Sequence, residues 1–228
     1  MQDINQLNDS EINFTNATIQ PNDVLRITVS SLNPKSAIPY NQPQSIQQGA
    51  ANAQLLQLQG YLVSENNQIS FPILGMISTA DKTTFQLADH IKNILEEDGH
   101  LKNPNVSVRL VNAKVTILGE VNNAGTYTFT EQNITLLQAL GYAGDLTING
   151  KREDIVVVRF EEGVRKVAHI DLTTSEWMTG EYGFIQPNDV IYVMPNAPRV
   201  KSAGFVGNVG TAISVVSILL TTVVLITR

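Results

Sequence analysis

The sequence predicts an α+β chain of two small modules followed by a transmembrane helix. Three observations predict it. Short β-rich runs recur between turn signals over residues 19–193. Only two stretches of that region, 84–97 and 135–143, carry apolar residues at helical spacing. Finally, the run over residues 202–227 holds no charge at all.

Residues 1–18 are polar and short of core residues, which reads as an extended lead. The segment IQPNDVLRITV, residues 19–29, then gives a turn and a strand. Pro21 sets φ for the turn, Asn22 and Asp23 favour its later positions, and the following residues are β-rich. The same six letters recur at Ile185 to Val190, again ahead of a β-rich run, Ile191-Tyr192-Val193. Either this is good turn chemistry used twice, or two modules share one device for presenting a strand.

Residues 31–59 read as a loop, with Pro34, Pro39, Pro43 and a Gln/Asn-rich tract. A loop of this length is functional or mobile. A strand from Tyr61, a turn at Asn66-Asn67-Gln68 and a second strand over 69–74, ended by Gly75, come next. The helix over 84–97 has Thr83 or Thr84 as cap and a stripe of Phe85, Leu87, Ala88, Ile91, Ile94 and Leu95, with Gly99 as its stop. Glu96, Glu97 and Asp98 read as a solvated acidic face. Strands are expected at 105–110, 114–119 and 127–129. A short helix is expected at 135–143, and a hairpin pairs 154–160 with 166–170 around Glu161-Glu162-Gly163. The two modules divide near residues 111–113.

Composition narrows the function. The net charge is −6 with no long basic stretch, which argues against nucleic acid as a partner. Without Cys there is no disulfide framework and no thiolate metal site. Residues 1–19 lack the basic-then-apolar pattern of a signal peptide. That leaves a cytosolic chain with a tail anchor, or a chain whose leader has been removed. No GxSxG elbow, GxxxxGK[ST] loop or HExxH pair occurs, so no enzyme is expected, and no catalytic, cofactor-binding or metal-ligating residue is assigned. His90, His100 and His169 are scattered and read as surface decoration without supporting neighbours.

The uncharged tail carries the functional signal. Its twenty-six residues would make a helix of roughly 39 Å, enough for a hydrocarbon core of about 30 Å with some tilt. Arg199, Lys201 and Arg228 flank it, and such ends can snorkel to headgroups. On a helical wheel one face reads Phe205, Val206, Val209, Ala212, Ile213, Val216, Leu219, Leu220, Val223 and Val224. The opposite face reads Gly204, Gly207, Gly210, Thr211, Ser214, Ser217, Thr221 and Thr222, interrupted by Ile218 and Leu225. A lone anchor in lipid has no reason to sort residues this way; close helix packing or a wet lumen has. Phe205, Val209, Ile213, Val216, Leu220 and Val223 are therefore assigned to lipid. Gly207, Asn208, Thr211, Ser214, Ser217 and Thr221 are assigned to a pore or helix-contact face.

The order of blocks resembles the outer-membrane polysaccharide export proteins of the Wza type, with a polysaccharide export domain and SLBB β-grasp repeats. IQPNDVLRITV is similar to the family's turn and strand. GYLVSENNQISFPILGMI with the helix of FQLADHIKNIL resembles its strand, turn, Pro-x-x-Gly, helix pattern, with Pro72 and Gly75 in place. NPNVSVRLVNAKVTILGEVNNAGTYTF and TLLQALGYAGDL resemble the β-grasp module through Gly119-Glu120-Val121, Gly125 and Ala143-Gly144, and GFIQPNDVIYV precedes the tail. The resemblance implies an export domain at 19–111, one SLBB β-grasp-like domain at 112–198 and a C-terminal transmembrane helix at 199–228. It further implies a homo-oligomeric ring, periplasmic soluble domains and an α-helical barrel through outer-membrane lipid. Polysaccharide would arrive from an inner-membrane co-polymerase and pass through the lumen as capsular or exopolysaccharide. Family members are usually lipoproteins, acylated on a Cys that this sequence lacks. The other reading of the residues is a membrane-tethered sugar-binding module whose helix only anchors.

Overall fold

The first IQPNDV turn launches strand β1 (Val24–Ser30), whose alternation buries Leu25, Ile27 and Val29 on one face. The computed structural model describes residues 17–42, 59–161 and 163–196. After β1 a short helix, α1 (Pro34–Ala37), runs into a 3₁₀ turn at Ile38–Tyr40. Asn33 caps it and Pro34 sits in its first turn, so the prolines that suggested only loop here start a helix instead. Strand β2 (Tyr61–Leu62) and β5 (Asn105–Leu110) flank β1 antiparallel, in the order β2-β1-β5.

The expected long strand at 69–74 is in fact a hairpin. β3 (Gln68–Phe71) turns through residues 72–74 into β4 (Gly75–Ser78). Pro72 offers no N–H to a ladder, and Ile73 adopts a φ of +66° that no strand accommodates. Gly75 thus opens a strand where the sequence suggested that it closes one.

Helix α2 (Thr84–Glu97) keeps its predicted bounds. Thr83 and Gln86 form a reciprocal capping box, and Gly99 ends the helix in a left-handed conformation. Its inward face is narrower than expected. Leu87, Ile91 and Leu95 are fully buried, but Phe85 is 70% exposed. At about 100° per residue Phe85 stands about 120° around the helix from the line of Leu87, Ile91 and Leu95. Leu87, Ile91 and Leu95 close the first core with Leu25, Ile69 and Phe71.

The second module starts from β6 (Lys114–Gly119) and β7 (Gly125–Thr128), an antiparallel pair. β8 (Ile134–Thr135) leads into helix α3 (Leu136–Tyr142), again with a capping box, here Thr135 and Gln138. β9 (Gly150–Glu161) and β10 (Val164–Ile170) form the predicted hairpin, with β9 starting four residues earlier than expected at 154. β11 (Phe184–Ile185) pairs with β8, and β12 (Val190–Pro195) follows the second IQPNDV turn. β12 lies between β9 and β6 in the order β10-β9-β12-β6-β7, antiparallel to the first and parallel to the second. α3 supplies Leu136, Ala139 and Leu140 to a core shared with Val115, Ile117, Ile155, Val157, Ile191 and Val193.

Leu110 and Asn112 tie the modules. Leu110 packs against both cores. Asn112 accepts from Val24 N–H at 2.8 Å and donates to Asn22 O at 3.0 Å, fastening the junction to the first turn. Among the described residues no helix is long and apolar enough to cross a membrane, and the tail helix expected at 199–228 lies outside them. Most of the lead at 1–18 and residues 43–58 of the expected loop lie outside them as well.

Candidate functional site

The pore-face residues Gly207, Asn208, Thr211, Ser214, Ser217 and Thr221 all lie outside the described residues. So do the lipid-facing Phe205, Val209, Ile213, Val216, Leu220 and Val223. Within the described residues, the chemistry gathers at the twin turns, on one sheet face and in a cleft between the modules.

The two hexapeptides fold alike. Asn22 and Asn188 take left-handed φ values of 71° and 69°. Asp23 and Asp189 each accept from the backbone N–H three residues back, Gln20 and Gln186, at 2.9 Å. Each turn then places its Asp C=O against another strand: Asp23 O accepts from Val63 N–H, and Asp189 O from Thr116 N–H. The repeat is one device used in both modules, and Pro-Asn-Asp turn chemistry is its mechanism.

Their electrostatics differ. Asp189 is buried and meets Arg159, itself 1% exposed, through Nε at 3.1 Å and Nη2 at 2.9 Å. Arg159 Nη2 also donates to Phe184 O at 2.9 Å, Tyr182 stacks on the guanidinium, and Nη1 faces Glu181 at 3.6 Å. Burial pushes the Asp189 carboxyl above the usual carboxylate range, while Arg159 and the Gln186 N–H pull against it. Asp23 is as deeply buried but has no salt bridge among the described residues. Burial pushes its carboxyl up to about 6, opposed by the Gln20 N–H.

A measurable pH dependence follows from Asp23. Its folded pKa lies above the unfolded value of 3.8. The folded state therefore holds the proton more tightly, and this stabilisation is complete below about pH 4 and lost as pH rises through about 6. The shift corresponds to about 3 kcal/mol. Asp23→Asn keeps an oxygen for Gln20 N–H and removes the buried charge. Hydrogen exchange of the β1, β2 and β5 amides should show the variant gaining on the wild type between pH 4 and pH 7. A stability difference that does not move with pH would refute the assignment.

His169 departs from expectation. Its Nδ1 lies 2.6 Å from Asp154 Oδ1, and Lys151 Nζ reaches the same carboxylate at 3.1 Å, so it has supporting neighbours after all. Asp154 is held below the usual range by His169 and then by Lys151. His100 sits edge-on to Tyr40. The acidic trio Glu96, Glu97 and Asp98 is exposed, as a solvated face would be.

The sheet of the second module has one face on its core and one face open among the described residues. Cross-strand register places Leu118, Tyr192 and Val156 in one row and Val190, Val158 and Val167 in the next, with Phe160 beyond. Leu118, Tyr192, Phe160 and Val167 are exposed. A patch of this kind marks an interaction surface more often than a free one.

Between the modules lies a cleft of about 430 Å³. α2 gives Thr84 and Phe85, β5 gives Arg109 and Leu110, the loop after β7 gives Thr130, Glu131 and Gln132, and the second IQPNDV turn gives Pro187. Sequence reasoning missed it, because Phe85 looked like core and the other residues lie on four separate segments.

Residues 13–111 match the polysaccharide biosynthesis/export protein family, and residues 114–169 match the SLBB domain. The chain carries a polysaccharide export domain followed by an SLBB domain. Its first matched segment carries the three-stranded sheet and α2, and its second carries β6 to β10. β12 falls outside the SLBB match, yet it is the middle strand of that sheet. Two relatives support the assignment. The EPS I polysaccharide export outer membrane protein EpsA of Ralstonia solanacearum is 31% identical over 104 residues, covering 44% of this chain and 27% of the relative. The capsule polysaccharide export outer membrane protein CtrA of Neisseria meningitidis is 28% identical over 162 residues, covering 70% of this chain and 40% of the relative. The chain thus spans well under half the length of these export proteins. The family is one of biosynthesis and export proteins, not one defined by an enzymatic reaction.

Proposed function

We propose that the chain is a subunit of a ring-shaped outer-membrane channel that exports capsular or exopolysaccharide, its C-terminal helices forming an α-helical barrel. Both relatives are outer membrane proteins, and in this reading the two folded modules lie in the periplasm. The observation that carries the channel reading is the sorting of the uncharged tail into an apolar face and a face of small and hydroxyl residues. A lumen-facing hydroxyl costs little against water. A charge facing mid-membrane lipid costs roughly 2.5–3.5 kcal/mol on insertion scales.

The open face of the second sheet supports association. A ring must bury surface between copies, and this face offers Leu118, Tyr192, Phe160 and Val167 for that purpose. The export domain spans 19–111 and the β-grasp-like domain 112–198 in this reading. An inner-membrane co-polymerase is the partner that hands polysaccharide on, and no reaction is catalysed.

The test is the mass of the detergent-extracted chain, with and without residues 202–228. A large discrete oligomer that depends on the tail is expected. A monomer in both forms, under several mild detergents, would favour a tethered sugar-binding module that uses the helix as an anchor. Side chains refine the test. Lys at Val209, Val216 or Val223 should remove the chain from the membrane fraction, while Ser214→Asp should leave it there. Equal loss from both faces would refute the two-sided helix.

A further inference from the structure

We propose that the cleft between the modules is a glycan subsite, in which one uncharged sugar ring stacks on Phe85 while its hydroxyls meet Arg109, Glu131 and Gln132. This rests on the export reading for its ligand class and goes beyond it in assigning a place on the folded modules.

Phe85 is the starting point. It stands off the buried line of α2, is 70% exposed and lines the cleft with Leu110. The capping box of Thr83 and Gln86 fixes the turn that carries it, so the ring stands on a rigid element. The volume of about 430 Å³ lies in the range of small-molecule pockets, roughly 300–1,000 Å³. A pyranose has an apolar C–H face and a rim of hydroxyls that both donate and accept. The cleft offers the matching set. Phe85 and Leu110 supply apolar surface, Arg109 can only donate, Glu131 can only accept, and Thr130 and Gln132 do both. Arg109 has no ion pair among the described residues, and Glu131 Oε2 accepts from Thr130 N–H at 3.0 Å. One cation and one carboxylate leave the lining without net charge, which suits neutral hydroxyls better than a polyanion.

The experiment uses the full chain in detergent and oligosaccharides made by partial hydrolysis of the polysaccharide that the producing cell exports. Saturation-transfer NMR should show binding to the wild type. Phe85→Ala should weaken it about tenfold, the size of a lost aromatic contact, whereas Phe85→Tyr should stay within about twofold of the wild type. Arg109→Gln should weaken it too. Ile148→Ala, at an exposed apolar residue that does not line the cleft, should bind as the wild type does. Absence of binding to the wild type, or equal binding to Phe85→Ala, overturns the subsite. So does a fall in oligomer mass in Phe85→Ala with glycan binding intact, since the ring would then be a subunit contact. Deleting the gene and measuring surface polysaccharide tests the export reading separately. Unchanged surface polysaccharide would defeat that reading, while reduced polysaccharide with no glycan binding would defeat only the subsite.

Discussion

Asp189→Ala is expected to destabilise the second module by roughly 3–5 kcal/mol, the usual cost of stranding a buried charge. Arg159 is 1% exposed, and Asp189 grips it through two nitrogens. With Asp189 gone, the guanidinium keeps the Phe184 carbonyl, the Tyr182 ring and a half-exposed Glu181 at 3.6 Å, which is too little for a cation out of water. The Gln186 N–H loses its acceptor as well, so the turn into β12 loosens. Arg159→Met should cost less, because a lone Asp189 carboxyl already pushed up by burial can take a proton. The double variant Arg159→Met, Asp189→Ala should recover much of the loss, giving a large coupling energy in the cycle. Trp177, the sole tryptophan, packs against this core and reports its unfolding. Additive losses in the cycle would sink the argument.

Gly119→Ala should be as damaging, at roughly 4 kcal/mol or more. Gly119 sits at the end of β6 with a φ of +88°, where an L-residue is strained. A Cβ there would also lie 2.0 Å from the backbone oxygen of Val193, across the parallel pair with β12. A backbone atom cannot rotate away as a side chain would, so the strands must part. The same oxygen accepts from Glu120 N–H at 3.0 Å, and that bond goes with it. The expected readout is loss of the cooperative Trp177 transition and of slow exchange in β6 and β12. Wild-type-like exchange in Gly119→Ala would show that the close approach is not needed.

Local chemistry was legible in the sequence, and long-range pairing was not. A threonine cap ahead of an apolar stripe announced α2, and Pro21-Asn22-Asp23 announced its turn, because each effect spans a few residues. The place of β12 between β6 and β9 depends on partners some seventy and thirty positions away, about which periodicity is silent. Phe85 was misread because it was counted into the stripe, although its angle on the helix lies well off the line of Leu87, Ile91 and Leu95. The Asp154–His169 contact needed the β9–β10 register, since both residues look like isolated surface groups in the sequence. The cleft could not be read at all, as its walls meet only when both modules are folded.

The position of β12 has a mechanical consequence. This last described strand is hydrogen-bonded on both sides, to β6 and to β9, and Asn196 leaves from its end. Tension applied through the residues that follow would run along the strand axis. It would load both ladders at once, in shear, where an edge strand would peel one bond at a time. Forces on the tail are thus delivered to a strand gripped on both sides. The grip extends to Arg159 and Asp189, which brace the other end of the same strand.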